Sequence, residues 1–236
     1  MGRIIALGGG GFSDDPLDEH GRGLDQVVLD ATGAVMPRAC FVPTASGDAE
    51  AYTVKFYRAF EGRARLDDLS LTLRPRHPHL REFILGMDAI YVGGGSTVNM
   101  LAVWRTHGLD EILREAYERG VVLAGISAGM ICWFEQPVTD SFGDGLRPME
   151  GMRLLPGSAC AHLGNPTRRE QYLRLVSNGQ VSGGYGAEDG VALDFADGVL
   201  REAVSCDPAR TARAYRVAAD GASELPVRYL CGREGL

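Results

Sequence analysis

Short apolar runs recur along this chain of 236 residues, and stretches with helical spacing separate them. Runs of this length with β-branched and aromatic residues are typical of buried strands, and amphipathic stretches of about 10–15 residues between them are typical of βαβ units. Such units build a mostly parallel sheet with helices on its faces. The length suits one large α/β domain covering residues 1–236, and we find neither a repeat nor a linker. We predict strands at 3–7, 40–42, 89–92 and 121–124, helices at 49–60, 98–106, 109–118 and 167–177, and later strands near 191–193, 199 and 227.

Composition excludes several classes of function. The chain holds 24 basic and 31 acidic residues, a net charge of −7 that argues against a nucleic-acid partner. No apolar run approaches the roughly 20 residues that a membrane span needs, so we expect no membrane partner. The five cysteines include no C-x-x-C pair, which signals neither a zinc site nor a disulfide framework and favours a cytoplasmic location.

The segment G-I-S-A-G at 125–129 follows the apolar run 121–124 and precedes a predicted helix. This is the context of a G-x-S-x-G nucleophile elbow, whose sharp strand-to-helix turn tolerates only small flanking residues such as Gly125 and Gly129. The turn would present the Ser127 hydroxyl at the carboxyl edge of the sheet. Ser127 is therefore the predicted nucleophile, and the competing interpretation is a plain small-residue turn.

A serine hydroxyl needs a base at neutral pH. Of the five histidines, only His162 follows Ser127 in the sequence. It comes after a small-residue stretch that can form a strand, so it can lie at a strand end near the elbow. We predict His162 as the general base; a lone histidine is otherwise more often structural.

The base in turn needs a carboxylate that fixes its tautomer. Two acids, Glu188 and Asp189, stand just before a predicted strand, and Asp140 and Asp144 lie in the connection 137–156, which is rich in Gly, Pro and Asp. Spacing does not choose among them, and each of these acids can simply form a turn or face solvent.

Backbone amides are the expected oxyanion stabilisers. Ala128 follows the nucleophile, and the glycines at 93–95 follow the predicted strand 89–92, so we predict a hole built from the amides of Ala128, Gly94 and Gly95. A glycine loop of this type can also cradle a phosphate or form a simple turn. The loop 8–11 also follows a strand and is expected to line the same cleft.

Two arginines open the helix that follows His162. A guanidinium at Arg168 or Arg169 can bind a substrate carboxylate, although a solvated helix start that pairs with Glu170 explains them equally well.

These motifs, taken in order, resemble the peptidase E (aspartyl dipeptidase) family of serine peptidases. The matching segments lie mainly between residues 90 and 194, with further matches near the start of the chain, and read I-A-L-G-G-G-G, V-P-T-A, Y-V-G-G-G-S-T, A-G-I-S-A-G-M-I-C-W-F, V-T-D-S-F, C-A-H-L, R-R-E and E-D-G-V-A-L-D. The G-x-S-A-G elbow alone is loosely specific, whereas the ordered set is quite specific.

The resemblance implies a three-layer α/β/α sandwich similar to class I glutamine amidotransferases, with serine in place of their cysteine. It implies Ser127 as nucleophile, His162 as base, and an oxyanion hole from the glycine loop and Ala128. The acidic member falls before the glycine of E-D-G, which favours Asp189 and leaves Glu188 open, and an aspartate assigned to the family's relay matches Asp140. Family members cleave dipeptides with N-terminal aspartate, and relatives cleave cyanophycin.

The sequence thus predicts a serine peptidase that hydrolyses short peptides as a dipeptidase or N-terminal exopeptidase with an Asp-X preference. It would need neither metal nor cofactor and would act as a monomer or homodimer. The alternatives are an esterase of the α/β-hydrolase type, a cyanophycinase-like peptidase and a non-catalytic small-molecule binding protein on the same scaffold. A glutamine amidotransferase would want cysteine at the elbow, and Cys132 stands five residues beyond Ser127.

Overall fold

The computed structural model describes residues 2–13, 23–72 and 78–230. Its helices are α1 Leu24–Ala31, α2 Glu50–Phe60, α3 Leu80–Leu85, α4 Thr97–His107, α5 Leu109–Glu118, α6 Ala128–Ile131 and α7 Pro166–Ser177. Its strands are β1 Arg3–Leu7, β2 Arg38–Val42, β3 Arg65–Asp68, β4 Ala89–Val92, β5 Val122–Ile126, β6 Phe134–Thr139, β7 Arg147–Pro148, β8 Leu155–Cys160, β9 Gly184–Ala187, β10 Val191–Ala196, β11 Val199–Ser205, β12 Ala214–Ala218, β13 Gly221–Glu224 and β14 Val227–Tyr229.

Eight of the described strands form one sheet in the order β14-β11-β10-β1-β5-β4-β2-β3. The half that contains β1, β5, β4, β2 and β3 is parallel, whereas β10 runs antiparallel to β1. Because parallel strands end at the same edge, the loops after β1, β4 and β5 meet there. That edge carries the glycine loops and the G-I-S-A-G segment.

Both faces of this sheet are buried, and the alternation along one strand shows why. In β1, Ile4 and Ala6 pack into the cluster that holds α4, α5 and α6, and Ile5 and Leu7 pack into the cluster that holds α1 and α2. Two covered faces explain why the strands read as continuous apolar runs. The predicted α/β sandwich with a mostly parallel sheet is confirmed.

A second sheet of six described strands, in the order β13-β12-β9-β8-β6-β7, lies beside the first. Its residues Phe134 and Leu155 belong to the same buried cluster as Leu123 of the large sheet, and α7 packs on it through Tyr172 and Val176. The shared cluster favours a single domain over residues 1–236, which stays a prediction.

Two predicted segments differ from the structure. The run after the elbow forms only a four-residue helix, α6, because Phe134 already begins β6. The connection predicted at 137–156 is not one loop: it includes the end of β6, the short β7 and the start of β8. Gly, Pro and Asp signal turns there, but pairing between neighbouring strands overrides that signal. Two of the five histidines, His20 and His77, and one of the five cysteines, Cys231, lie outside the described residues.

A buried carboxyl lies beneath the loop 8–11. Asp25 of α1 accepts a hydrogen bond of 2.8 Å from the hydroxyl of Tyr91 in β4. Burial raises the pKa of Asp25 to about 6, against the opposing effects of the Tyr91 hydroxyl and of Arg63. This carboxyl therefore changes charge within the pH range where most proteins are stable.

The raised pKa of Asp25 predicts a specific loss of stability with rising pH. Between about pH 4 and pH 6 the unfolded chain loses this proton while the folded chain keeps it, so the free energy of unfolding falls as pH rises, by on the order of 1–3 kcal/mol. Asp25→Asn keeps an acceptor for Tyr91 and removes the titration. Urea unfolding of both proteins at pH 4 and pH 7.5 measures this effect, and the variant should gain stability relative to the parent at the higher pH. The same difference in free energy of unfolding between variant and parent at both pH values would contradict the prediction.

Candidate active site

The G-I-S-A-G segment forms a strained turn between β5 and α6. Ser127 has φ of 56° and ψ of −106°, a region that non-glycine residues seldom adopt. A Cβ on Gly125 would lie 2.4 Å from the carbonyl oxygen of Gly129, and a Cβ on Gly129 would lie 2.4 Å from that of Val92. The small residues are therefore required by backbone contacts, as the nucleophile-elbow motif predicts.

His162 lies directly above this turn, beyond the end of β8. Its Nε2 is 2.8 Å from Ser127 Oγ, and its Nδ1 is 2.5 Å from Asp189 Oδ1. Because a carboxylate only accepts hydrogen bonds, Nδ1 carries the proton and Nε2 accepts the hydroxyl of Ser127. The structure thus brings three of the predicted residues into one hydrogen-bonded chain with the connectivity of a catalytic triad.

The loop after β1 supports this chain from below. The His162 amide donates to the Gly8 carbonyl at 3.1 Å, and the Gly190 amide donates to the Gly9 carbonyl at 3.0 Å. A Cβ on Gly9 would lie 1.9 Å from Asp189 Oδ1 and 3.0 Å from His162 Cε1. The loop 8–11 lines the cleft, as the sequence predicts, and its Gly9 leaves no room for a side chain while the Asp189 carboxylate holds this position.

The other predicted acids have different partners. Glu188 accepts the hydroxyl of Tyr215 at 2.9 Å and the amide of Arg213 at 3.0 Å. Asp140 pairs with Arg168, whose Nη1 lies 2.5 Å from Asp140 Oδ2. The structure therefore joins Asp189 to the histidine ring and places the Glu188 and Asp140 carboxylates in other contacts.

Of the amides predicted to bind the oxyanion, one already donates a hydrogen bond within the described part of the protein and two do not. A Cβ on Gly94 would lie 3.4 Å from Ser127 Cβ, so the glycine loop flanks the nucleophile. The Gly94 amide donates to the hydroxyl oxygen of Tyr52 at 3.2 Å. The amides of Gly95 and Ala128 have no acceptor among the residues that the structure describes.

Tyr52 is a contact that the sequence analysis did not identify. Its spacing with Phe56 and Phe60 in α2 indicates a core position, and its ring does pack 5.1 Å from that of Phe41. The sequence offers one indication of this contact, the hydroxyl itself, because a phenol on an apolar helix face needs a hydrogen-bond partner.

The two arginines of α7 lie near the site in different environments. Arg168, with a side chain 17% exposed, donates from Nε to the Ala161 carbonyl and pairs with Asp140. The guanidinium carbon of Arg169 lies 4.0 Å from the centre of the Tyr215 ring. Within the described residues Arg169 has no carboxylate partner, so its charge is available to an anionic group.

Cys132, which follows Ser127 by five residues, does not offer a second nucleophile. Burial raises the pKa of its thiol well above the usual range, and the thiol contacts the Gly129 carbonyl. A thiol in that environment is protonated at neutral pH and unreactive.

Neither a metal site nor a membrane span is visible in the described ranges. No three His, Cys, Asp or Glu side chains cluster there in a way that could hold a metal ion. None of the described helices is both long and apolar enough to cross a membrane.

Comparison with known proteins supports one family. A model for Peptidase family S51 matches residues 4–203. The chain is 46% identical over 235 residues to the uncharacterized peptidase YgaJ of Bacillus subtilis strain 168, covering 98% of this chain and all of that protein. It is also 33% identical over 118 residues to the peptidase E of Streptomyces coelicolor, covering 47% of this chain and 45% of that one.

A solved structure shares the fold. The crystal structure of a peptidase from an acI-B1 Actinobacterium superposes with a TM-score of 0.70 at 16% identity. The match covers 96% of this chain and 95% of the other. At this level of identity the similarity concerns the architecture alone.

Proposed function

Because the chain belongs to peptidase family S51 and is a peptidase, we propose that it is a serine dipeptidase acting on short free peptides through Ser127, His162 and Asp189. The observation that carries this proposal is the hydrogen-bonded chain from Ser127 Oγ through the His162 ring to Asp189. It has the connectivity that makes a serine hydroxyl nucleophilic at neutral pH.

In the first half of the reaction, Ser127 Oγ bonds to the scissile carbonyl carbon while its proton passes to His162 Nε2. The imidazolium that forms is stabilised by the Asp189 carboxylate. The carbon–nitrogen bond then breaks, and His162 gives its proton to the leaving amine. In the second half, water attacks the acyl carbon and gives a proton to His162. The bond between that carbon and Ser127 Oγ then breaks, and His162 returns the proton to Oγ as the carboxylic acid product leaves.

The oxyanion of the tetrahedral intermediate would bind to the amides of Ala128 and Gly95. Ala128 follows the nucleophile, and Gly95 belongs to the loop whose Gly94 faces Ser127. Neither amide has an acceptor among the described residues, whereas the Gly94 amide donates to Tyr52. Preorganised donors of this kind stabilise charge that develops only during the reaction. Gly94 would therefore line the oxyanion hole, but its amide would not donate to the oxyanion.

Arg169 is the better candidate of the two arginines for binding an acidic substrate group. Its guanidinium stacks on Tyr215 and has no described carboxylate partner, while that of Arg168 is paired with Asp140. A planar guanidinium held against an aromatic ring is well suited to binding a carboxylate. This supports a preference for peptides with N-terminal aspartate.

Arg169→Gln should raise KM for Asp-Leu by about tenfold with little change in kcat, because one charge-assisted hydrogen bond is worth about 1.5–3 kcal/mol. KM for Ala-Leu should change less than threefold. Arg174→Gln is the matched control, since it removes the same charge from an exposed position on α7. If KM rises equally in Arg169→Gln and Arg174→Gln, or equally for Asp-Leu and Ala-Leu, Arg169 does not recognise the acidic group of the substrate.

A dipeptide panel tests the function directly. Purified protein is incubated with Asp-Leu, Glu-Leu, Met-Leu and Ala-Leu, with N-acetylated Asp-Leu and a p-nitrophenyl ester alongside, and with a fluorophosphonate probe. We expect cleavage of free dipeptides, fastest for Asp-Leu, and probe adduct on the peptide that contains Ser127. Ester turnover without peptide cleavage would favour the esterase alternative, and absence of both turnover and labelling would favour a binding protein.

A cytoplasmic location, a monomeric or homodimeric state and the absence of a nucleic-acid partner remain predictions of the sequence. Gel filtration with light scattering would decide the oligomeric state.

A further inference from the structure

Asp189 is an exposed residue that has to hold a defined position. Its side chain is 63% exposed, and the His162 ring is the hydrogen-bond partner that the structure gives its carboxylate. Apart from the approach of Oδ1 to Gly9, packing therefore does little to restrict its rotamer. The orientation of the carboxylate must come from the main chain of the turn between β9 and β10 that carries it.

Glu188, the residue before it, ties that turn to the second sheet. Its Oε1 accepts the hydroxyl of Tyr215 at 2.9 Å, and its Oε2 accepts the amide of Arg213 at 3.0 Å. Its own amide donates to the Arg213 carbonyl at 3.0 Å. Three hydrogen bonds thus connect one half-buried residue to the start of β12.

Tyr215 is itself held rigidly. The residue is 3% exposed and packs with Val217 against α7, and Arg169 covers its ring. Burial and the neighbouring carboxylate of Glu188 raise the pKa of the phenol, so at neutral pH it is protonated and donates to Glu188.

Glu188 also packs against the segment that carries the base. A Cβ on Gly164 would lie 3.6 Å from Glu188 Cγ, and the Leu163 amide donates to the Ala187 carbonyl at 3.0 Å. The hydrogen bond between Leu163 and Ala187 therefore ties the segment after His162 to the end of β9, which leads into the turn that bears Asp189.

We propose that Glu188 and Tyr215 are positioning residues, whose hydrogen bond holds the turn between β9 and β10 so that the Asp189 carboxylate meets His162 Nδ1. The inference rests on the proposed triad but assigns Glu188 a role other than that of triad acid. Loosening the turn would weaken the support that Asp189 gives to the imidazolium form of His162, and it would leave the substrate contacts in place. A misplacement of about 1 Å at a catalytic group is enough to cost a large factor in rate.

Three substitutions test the pair. Tyr215→Phe removes the hydroxyl and keeps the ring under Arg169, Glu188→Ala removes both acceptors, and Glu188→Gln keeps one side-chain oxygen. With Ala-Leu, which has no acidic side chain for Arg169 to bind, we expect Tyr215→Phe to lower kcat about tenfold with KM unchanged. Glu188→Ala should lower kcat further, and Glu188→Gln should retain most of the activity. The acidic limb of kcat/KM should move to lower pH by about half a unit in Tyr215→Phe, because a displaced carboxylate favours the charged ring less.

Tyr229→Phe is the matched control. The Tyr229 hydroxyl also bonds to this segment, accepting from Arg213 Nη1 at 2.8 Å and donating to the Ala212 carbonyl at 3.0 Å. It makes two hydrogen bonds, against the one from the Tyr215 hydroxyl to Glu188, and it is not bonded to Glu188. We expect its loss to lower the thermal midpoint comparably, with kcat and the acidic limb unchanged. Equal effects of Tyr229→Phe and Tyr215→Phe would reduce the pair to an ordinary structural contact and overturn the proposal.

An NMR titration separates failure of this inference from failure of the proposed function. The ring signal of His162, assigned by its loss in His162→Gln, can be followed in the protein without substrate. A titration midpoint lower in Tyr215→Phe than in the parent supports the positioning role even if the panel finds no cleavage, and an unchanged midpoint overturns it. If Glu188→Gln loses as much activity as Asp189→Asn, then Glu188 is the triad acid and both the inference and the triad assignment are wrong.

Discussion

Ser127→Ala should lower kcat/KM for a cleaved dipeptide by about a thousandfold or more, because no other described group near the elbow can form the acyl-enzyme. The nearby thiol of Cys132 is buried and protonated, so it cannot replace the hydroxyl. Initial rates at substrate concentrations well below KM give the ratio directly. The variant should also lose labelling by the fluorophosphonate probe.

The fold should tolerate this change. Alanine is smaller than serine, and the strained φ of 56° at position 127 is imposed by its glycine neighbours and not by its own side chain. The thermal midpoint should therefore stay within about 2 °C of the parent. Ser46→Ala is the matched control: its hydroxyl donates to the Pro43 carbonyl at 2.8 Å in the loop that packs on Gly95, and its removal should leave turnover intact. Turnover retained in Ser127→Ala would exclude Ser127 from the mechanism.

Local pattern was sufficient to identify the elbow and the buried strands. The strand β5 is a continuous apolar run because both faces of the sheet are covered, and G-I-S-A-G is required by contacts between main-chain atoms that are close in sequence or on the adjacent strand β4. Features with such local causes can be read from residue types alone. The same holds for the cap of α4, where Ser96 Oγ accepts the amide of Asn99.

The choice between Glu188 and Asp189 could not be made in this way. The two acids are adjacent, and which one points toward His162 depends on how the turn is tied to β12, some 25 residues later in the chain. That tie depends on pairing between β9 and β12, which short strands containing glycine do not signal in their sequence. The resemblance to a known family favoured Asp189, and the hydrogen bonds supply a physical reason for that preference.

The second sheet was hidden for a similar reason. Strand β13 is mostly exposed, and β9 has glycine at alternate positions, so neither carries the apolar alternation that predicts a strand. A Cβ on Gly184 would lie 1.8 Å from the Ser158 carbonyl oxygen of β8, so close approach of two main chains replaces side-chain packing there. Such contacts become visible only when the partner strand is known.

A substitution in the glycine loop after β1 should also have a large effect on the reaction. Gly9→Ala should lower kcat about a hundredfold or more while changing the stability of the fold little. The added methyl would lie 1.9 Å from Asp189 Oδ1, and this oxygen ends an exposed side chain that can rotate away at small cost. Rotation removes the carboxylate from His162 Nδ1, and loss of the triad acid in serine peptidases costs about four orders of magnitude in kcat. The adjacent glycine makes the contrast: a Cβ on Gly8 would lie 2.4 Å from the Glu188 carbonyl oxygen, which cannot move aside.

Gly8→Ala should therefore destabilise the fold, by about 1–3 kcal/mol, whereas Gly9→Ala should act on the reaction. A double-mutant cycle isolates the cause, because residues that act through one contact are not additive. If Gly9→Ala works by displacing Asp189, adding it to Asp189→Asn should cost less than a further threefold in kcat. A full hundredfold loss in that background would mean that the methyl disturbs the site by another route, such as its approach to His162 Cε1 at 3.0 Å, and not through Asp189.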